Sequence, residues 1–170
     1  TVEALGAASI CRTLAVAALP CLGCGVHGSG LSLLLSRVAK YGLPKSFVSS
    51  RINFFESMTG SDVAQQIAAR VSKRQKGVYG PSDTGHHHIY FIDDVHLPAL
   101  SSGRGSSALE FLRQLVEGGR WLHERRSLIS VQDVTVSAHM QWTRHLAHGG
   151  LSARLLRHFH VVGSFSVDQV

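Results

Sequence analysis

One stretch limits what this chain can fold into: Gly25-Val26-His27-Gly28-Ser29-Gly30-Leu31-Ser32. An apolar run ending at Leu22 precedes it, and Leu33-Leu34-Leu35 follows. The order is strand, glycine loop, helix, with the spacing of a phosphate-binding loop, G-x-x-x-x-G-K-[ST]. Glycines let backbone N–H groups close around phosphate oxygens, and the helix N-terminus adds positive potential. The lysine that should reach the outer phosphates is Leu31.

The flanking residues read as alternating helices and strands. Residues 2–14 form a helix with Glu3 in its first turn, and residues 17–24 a strand. The helix after the loop covers residues 32–40, and residues 47–55 form a second strand. A helix starts at Ser61-Asp62, with Val63, Ile67 and Val71 on one face. It is expected to end in Lys73, Arg74 and Lys76, with Gly77 after its last turn. Residues 77–85 are a loop.

The run His88-Ile89-Tyr90-Phe91-Ile92-Asp93-Asp94 lacks alternation, which suits a strand buried on both faces. Ser107-Ala108-Leu109-Glu110 reads as a capping box opening a helix that Gly118-Gly119 stops. A hairpin over 121–130, a strand over 131–138, an irregular segment over 139–150, a short helix over 151–157 and a strand over 159–165 complete the chain. Such alternation predicts an α/β fold with a mostly parallel sheet flanked by helices.

Charge and composition exclude several classes. A net charge of +6 favours anionic partners but does not choose among them. The basic residues are scattered and carry no interleaved aromatics, so a nucleic-acid partner is not expected. The apolar run from Ala4 to Leu22 is broken by Arg12 and Pro20 and lacks a basic leader, so no membrane span is expected. Cys11, Cys21 and Cys24 are too few for a disulfide scaffold. Cys21-x-x-Cys24 has no second pair and reads as two small core residues. Of the histidines around the acid-bearing strand, only His86 and His88 could share an ion, and loop or strand-edge roles suit them better.

The paired acids give the glycine loop its chemistry. In phosphoryl-transfer enzymes of this kind the loop's Ser/Thr hydroxyl and the first strand acid hold Mg²⁺. Here those are Ser32 and Asp93, and Asp94 is placed to orient or deprotonate an attacking water.

At this point the sequence resembles a family. Ile52-Asn53-Phe54, Arg74-Gln75-Lys76-Gly77-Val78-Tyr79-Gly80-Pro81 and Phe91-Ile92-Asp93-Asp94-Val95-His96-Leu97-Pro98-Ala99 follow the order of the third AAA+ module of dynein heavy chains, axonemal type or a divergent relative. So do Leu112-Arg113-Gln114-Leu115 and Leu151-Ser152-Ala153-Arg154-Leu155-Leu156-Arg157-His158-Phe159.

The resemblance implies a P-loop NTPase fold, with residues 1–170 as the large α/β subdomain of one module and without the small helical lid. It implies a ring of six modules in a microtubule motor, the third being regulatory. Gly25 to Ser32, with Val26, His27, Gly28, Ser29, Gly30 and Leu31 between, would line an ATP or ADP site with Mg²⁺ at Ser32 and Asp93. Asp94 would hold the catalytic-acid position, and Arg154 or Arg157 would act in trans as an arginine finger. Implied partners are neighbouring modules of the same heavy chain, the microtubule, and dynein light and intermediate chains. The implied location is cytoplasmic and cytoskeletal, in the axoneme of a cilium or flagellum.

Departures from the family pattern weaken the site. Losing a charge-assisted hydrogen bond of about 1.5–3 kcal/mol weakens ATP binding by about 10–150-fold. A leucine also brings no charge to the transition state. Between Ala138 and Leu151 the sequence departs from the Gly/Pro-rich loop ending in Arg-Asn that the resemblance implies, so that pattern assigns no residue to phosphate sensing, and His139 is a poor candidate. The expected function is a regulatory module with a degenerate pocket, weak or no nucleotide binding and little hydrolysis. A competent ATPase with Arg104 or Arg144 in place of the lysine, and a nucleic-acid-binding P-loop protein, are the alternatives.

Overall fold

The computed structural model describes residues 2–100, 105–122, 128–142 and 151–164. Its centre is a five-stranded sheet of β1 (Cys21–Val26), β2 (Phe47–Asn53), β5 (His87–Asp93), β8 (Val134–Trp142) and β9 (His160–Ser164). The order is β2-β5-β8-β1-β9, and every neighbouring pair is parallel. Helices α1 (Val2–Val16) and α2 (Leu31–Tyr41) pack on each other, as do α3 (Gly60–Ala68) and α5 (Ser107–Gly118), with the short α4 (Leu97–Leu100) between them in sequence. Each pair covers an apolar cluster. Phe91 of β5 joins the α1–α2 cluster, while Tyr90 and Ile92 join the α3–α5 cluster. Successive side chains on a strand point to opposite faces, so the unalternating run of β5 serves both cores.

The chain also forms a second sheet, which as a whole no local pattern in the sequence marks. It has the order β3-β4-β7-β6, built from β3 (Ser72–Gln75), β4 (Val78–Gly80), β6 (Arg120–Leu122) and β7 (Leu128–Val131). Its β3 overturns the expected helical ending. Helix α3 stops at Ala68, and Lys73 and Gln75 pair instead with Tyr79 and Val78. Gly77, at φ 76°, turns the chain between Gln75 and Val78. A left-handed glycine and basic residues suit a hairpin as well as a helix end, and cross-strand pairing decides between them. The expected loop over 77–85 accordingly contains β4.

Smaller differences have local causes. Strand β1 starts at Cys21 because α1 runs on to Val16 and the chain turns at Ala18, φ 56°. The cap of α5 is Ser106, whose hydroxyl accepts from Leu109 N, while Ser107 Oγ accepts from Gly60 N and so ties α5 to α3. The expected hairpin forms from β6 and β7, although residues 123–127 of it lie outside the described residues. Strand β8 runs on to Trp142, four residues beyond the expected end, and only residues 143–150 of the segment read as irregular lie outside the description. The short helix narrows to α6 (Ala153–Leu156). All three cysteines are free and buried, Cys21 Sγ lying 3.1 Å from Ser137 Oγ. Among the described residues, no helix is long and apolar enough to cross a membrane.

Candidate functional site

The sheet brings the two distant motifs together. Strands β1 and β5 flank β8, so the loop after β1 and the acids ending β5 open on the same edge of the sheet. Ligands bind outside the carboxyl ends of strands in open α/β sheets. Ser32 Oγ donates to Asp93 Oδ2 at 2.6 Å, across 61 residues of sequence.

The loop has the backbone of a phosphate cradle. Gly28 and Gly30 take φ of 77° and 78°, and Gly30 leads into α2. Gly25 is required for a different reason. A Cβ there would stand 2.8 Å from Ser29 Oγ and within 3.2 Å of Leu31. Ser29 N donates to Val26 O, and Ser29 Oγ accepts from Leu31 N at 3.4 Å, so the serine folds back into its own loop. His27 follows β1 directly, at the start of the turn.

Leu31 does not reach toward a phosphate position. It is 1% exposed and packs among Ala4, Ala7, Ala8, Cys11, Cys21, Leu35 and Phe91, beneath the loop. One δ-methyl lies against Gly23 and Gly25 of β1. Hydrophobic burial holds this side chain in the helix–sheet core, and no positive charge enters from that position.

Asp93 is 2% exposed and fully engaged. Oδ2 accepts from Ser32 and from Arg51 Nη2, each at 2.6 Å. Oδ1 lies 2.8 Å from His139 Nδ1 and accepts from Asp94 N at 3.1 Å. Burial alone pushes the carboxyl pKa up. The hydrogen bonds from His139 and Ser32, with the electrostatic pull of His139 and Arg51, outweigh it and lower the value to about 2.

Two members of this network escaped the sequence reading. Arg51 sits in β2 opposite Phe91, with no motif to single it out. His139 looked unsuited to sensing a phosphate, yet β8 carries it beside Gly23 of β1 and onto Asp93. Gln141, two residues further along the same face, is in register with Gly25 of β1. The signal available for Arg51 was the parallel register that sets Asn53 against Asp93, and that register is a tertiary fact.

The other expected residues are placed as follows. Asp94 takes φ 55°, and an oxygen of its carboxyl lies within 4.8 Å of donor atoms of Asp93 and His139. Arg154 is exposed on α6, within electrostatic reach of Glu110. Arg157 donates to Glu117 Oε1 of α5 at 3.3 Å. Arg104 and Arg144 lie outside the described residues. The histidine triplet is at the opposite end of β5 from the acids, and among the described residues the one metal-capable trio is Asp93, Asp94 and His139. His88 stands on an interior strand and is buried, which corrects the expectation of a loop or strand-edge position.

A glycine loop after the first strand, beside a serine–aspartate pair on a parallel sheet, defines a P-loop nucleotide-binding domain. The chain belongs to the family described as the P-loop containing dynein motor region, which matches residues 1–166. Dynein axonemal heavy chain 1 of Mus musculus is 32% identical over 155 residues, covering 89% of this chain and 4% of that one. Dynein axonemal heavy chain 12 of Homo sapiens is 32% identical over 157 residues, covering 88% and 5%. The chain thus spans a few per cent of the length of these relatives and corresponds to one AAA module of a larger heavy chain.

Membership in a P-loop family implies a nucleotide site, with Mg²⁺ as the usual metal. Gly28 and Gly30 give the loop the left-handed bends of a phosphate cradle, with Ser29 N and Leu31 N bonded inside it. The metal pair does not fit an ion as it stands, because Arg51 already occupies Asp93 Oδ2 beside Ser32.

Proposed function

We propose that this chain is the third, regulatory AAA+ module of a dynein-like heavy chain, and that its 170 residues form the large α/β subdomain. Its pocket binds ATP or ADP weakly and hydrolyses little. One observation carries this reading: the side chain at the lysine position is an aliphatic group sealed in the core. The left-handed bends at Gly28 and Gly30 remain, so the outline of the phosphate cradle is inherited while its cation is gone.

Within a ring, the module's neighbours would be other AAA+ modules of the same chain. Arg154, the less engaged of the two arginines, is the better candidate for a finger reaching a neighbour's site, since Arg157 is paired with Glu117. Microtubules, light and intermediate chains and an axonemal location would come through the parent heavy chain. Support for this comes from relatives named as axonemal dynein heavy chains.

A labelled ADP or ATP titration against the wild type and Leu31→Lys tests the reading. The variant should bind about 10–150-fold more tightly, and wild-type phosphate release should match background. Steady wild-type turnover abolished by Asp93→Ala would overturn it in favour of a competent ATPase. That alternative needs a substitute for the lysine, and Arg51, the basic side chain that meets Asp93 in the structure, is committed to that carboxylate.

A further inference from the structure

We propose that Arg51 is the site's built-in counter-cation, its guanidinium holding the oxygen of Asp93 that a divalent ion would need and so closing the acid cluster to metal. This rests on the reading of the site as a degenerate nucleotide pocket and goes further, because it assigns a second lost function to a residue outside both motifs.

Arg51 is held from several sides although its own side chain is 48% exposed. Nε donates to Asn53 Oδ1 at 2.8 Å, Nη1 to Ser36 Oγ of α2 at 3.4 Å, and Nη2 to Asp93 Oδ2 at 2.6 Å. The guanidinium carbon lies 5.9 Å from the centre of the Phe91 ring, within cation–π range. A planar fork with fixed donors suits this arrangement, and a guanidinium keeps its charge at any working pH.

The carboxylate has little left to offer. Four donors converge on its two oxygens: Ser32 and Arg51 on one, His139 and the Asp94 amide on the other. An ionised carboxylate has about four lone-pair sites. A divalent ion binds through such lone pairs and must displace one donor. Arg51 is the donor that keeps its charge at any working pH and reaches solvent, so it is the one in competition with the ion. Donor atoms of Asp93, Asp94 and His139 lie within 4.8 Å of one another, a trio of the right chemistry for a divalent cation once the guanidinium is gone. Nucleotide reaching the loop therefore meets a fixed guanidinium, and its affinity should not depend on Mg²⁺.

Mn²⁺ titration of the purified chain without nucleotide, read by electron paramagnetic resonance, tests this directly. The wild type should show no site tighter than about 1 mM, and Arg51→Gln should bind at least about tenfold more tightly. Adding Asp93→Asn to Arg51→Gln should abolish the gained site. Wild-type binding equal to that of Arg51→Gln, or no gain in that variant, overturns the proposal. Should Arg51→Gln fail to fold by circular dichroism, the wild type decides alone: a site tighter than about 1 mM that Asp93→Asn removes overturns it, and its absence supports it. Because no nucleotide is present, this outcome is independent of the Leu31→Lys titration.

Discussion

The two ends of β5 solve one problem in opposite ways. Near its start, His88 is 4% exposed, accepts or donates one hydrogen bond with Ser50 Oγ at 3.0 Å, and stacks on Tyr90. Burial first, then the nearby charges of Arg70 and His87, lower its pKa to about 4, so it is neutral at pH 7. At the far end Asp93 is buried as deeply yet stays charged, because Ser32, Arg51 and His139 supply hydrogens and charge to it. Depth does not decide whether a buried group keeps its charge. The partners that the neighbouring strands deliver do.

The sharpest way to break this comparison is acid. A histidine whose folded pKa lies below its unfolded value gives stability that is present above pH 6.5 and lost as pH falls toward 4. For His88 the loss amounts to about 3 kcal/mol. Urea unfolding from pH 7 to pH 4 should show it, and His88→Gln should remove most of that slope. A residue of slope should remain from His87 and His96, both lowered chiefly by burial. An unchanged slope in the variant would mean that His88 is not neutral because of its surroundings.

The Asp93 end should respond over a lower window. Its depressed pKa contributes stability that is complete above about 4 and disappears as pH falls to about 2. The loss there is about 2 kcal/mol and should be absent in Asp93→Asn. Carboxylate infrared bands followed between pH 4 and pH 2 would check the titration itself.

The smallest effect concerns the residue beside it. Asp94 holds φ 55° without the freedom of glycine. Asp94→Gly should raise stability by about 1 kcal/mol, measured as a higher urea midpoint at an unchanged slope. A loss of stability instead would show that the Asp94 carboxyl adds more to the acid cluster than its backbone strain removes.

Much of the fold was readable because it rests on local chemistry. The glycines of the loop, the apolar run of β5 and the stripe of α5 announce themselves within a few residues. The misreadings fall where local chemistry suits two structures. Lys73, Arg74 and Gly77 could end a helix or turn a hairpin, and the alanines after α1 could be helix or strand. Pairing partners, supplied by distant segments, made the choice.

The site divides in the same way. By itself the sequence determined the backbone cradle, the missing lysine and the paired acids, since each depends on residue types at fixed short spacing. Tertiary structure alone decided where Leu31 points, and that Arg51 and His139 meet on Asp93. Those contacts join β2, β5 and β8 across 42 and 46 residues, and only the order and register of a folded sheet bring such positions within hydrogen-bonding distance.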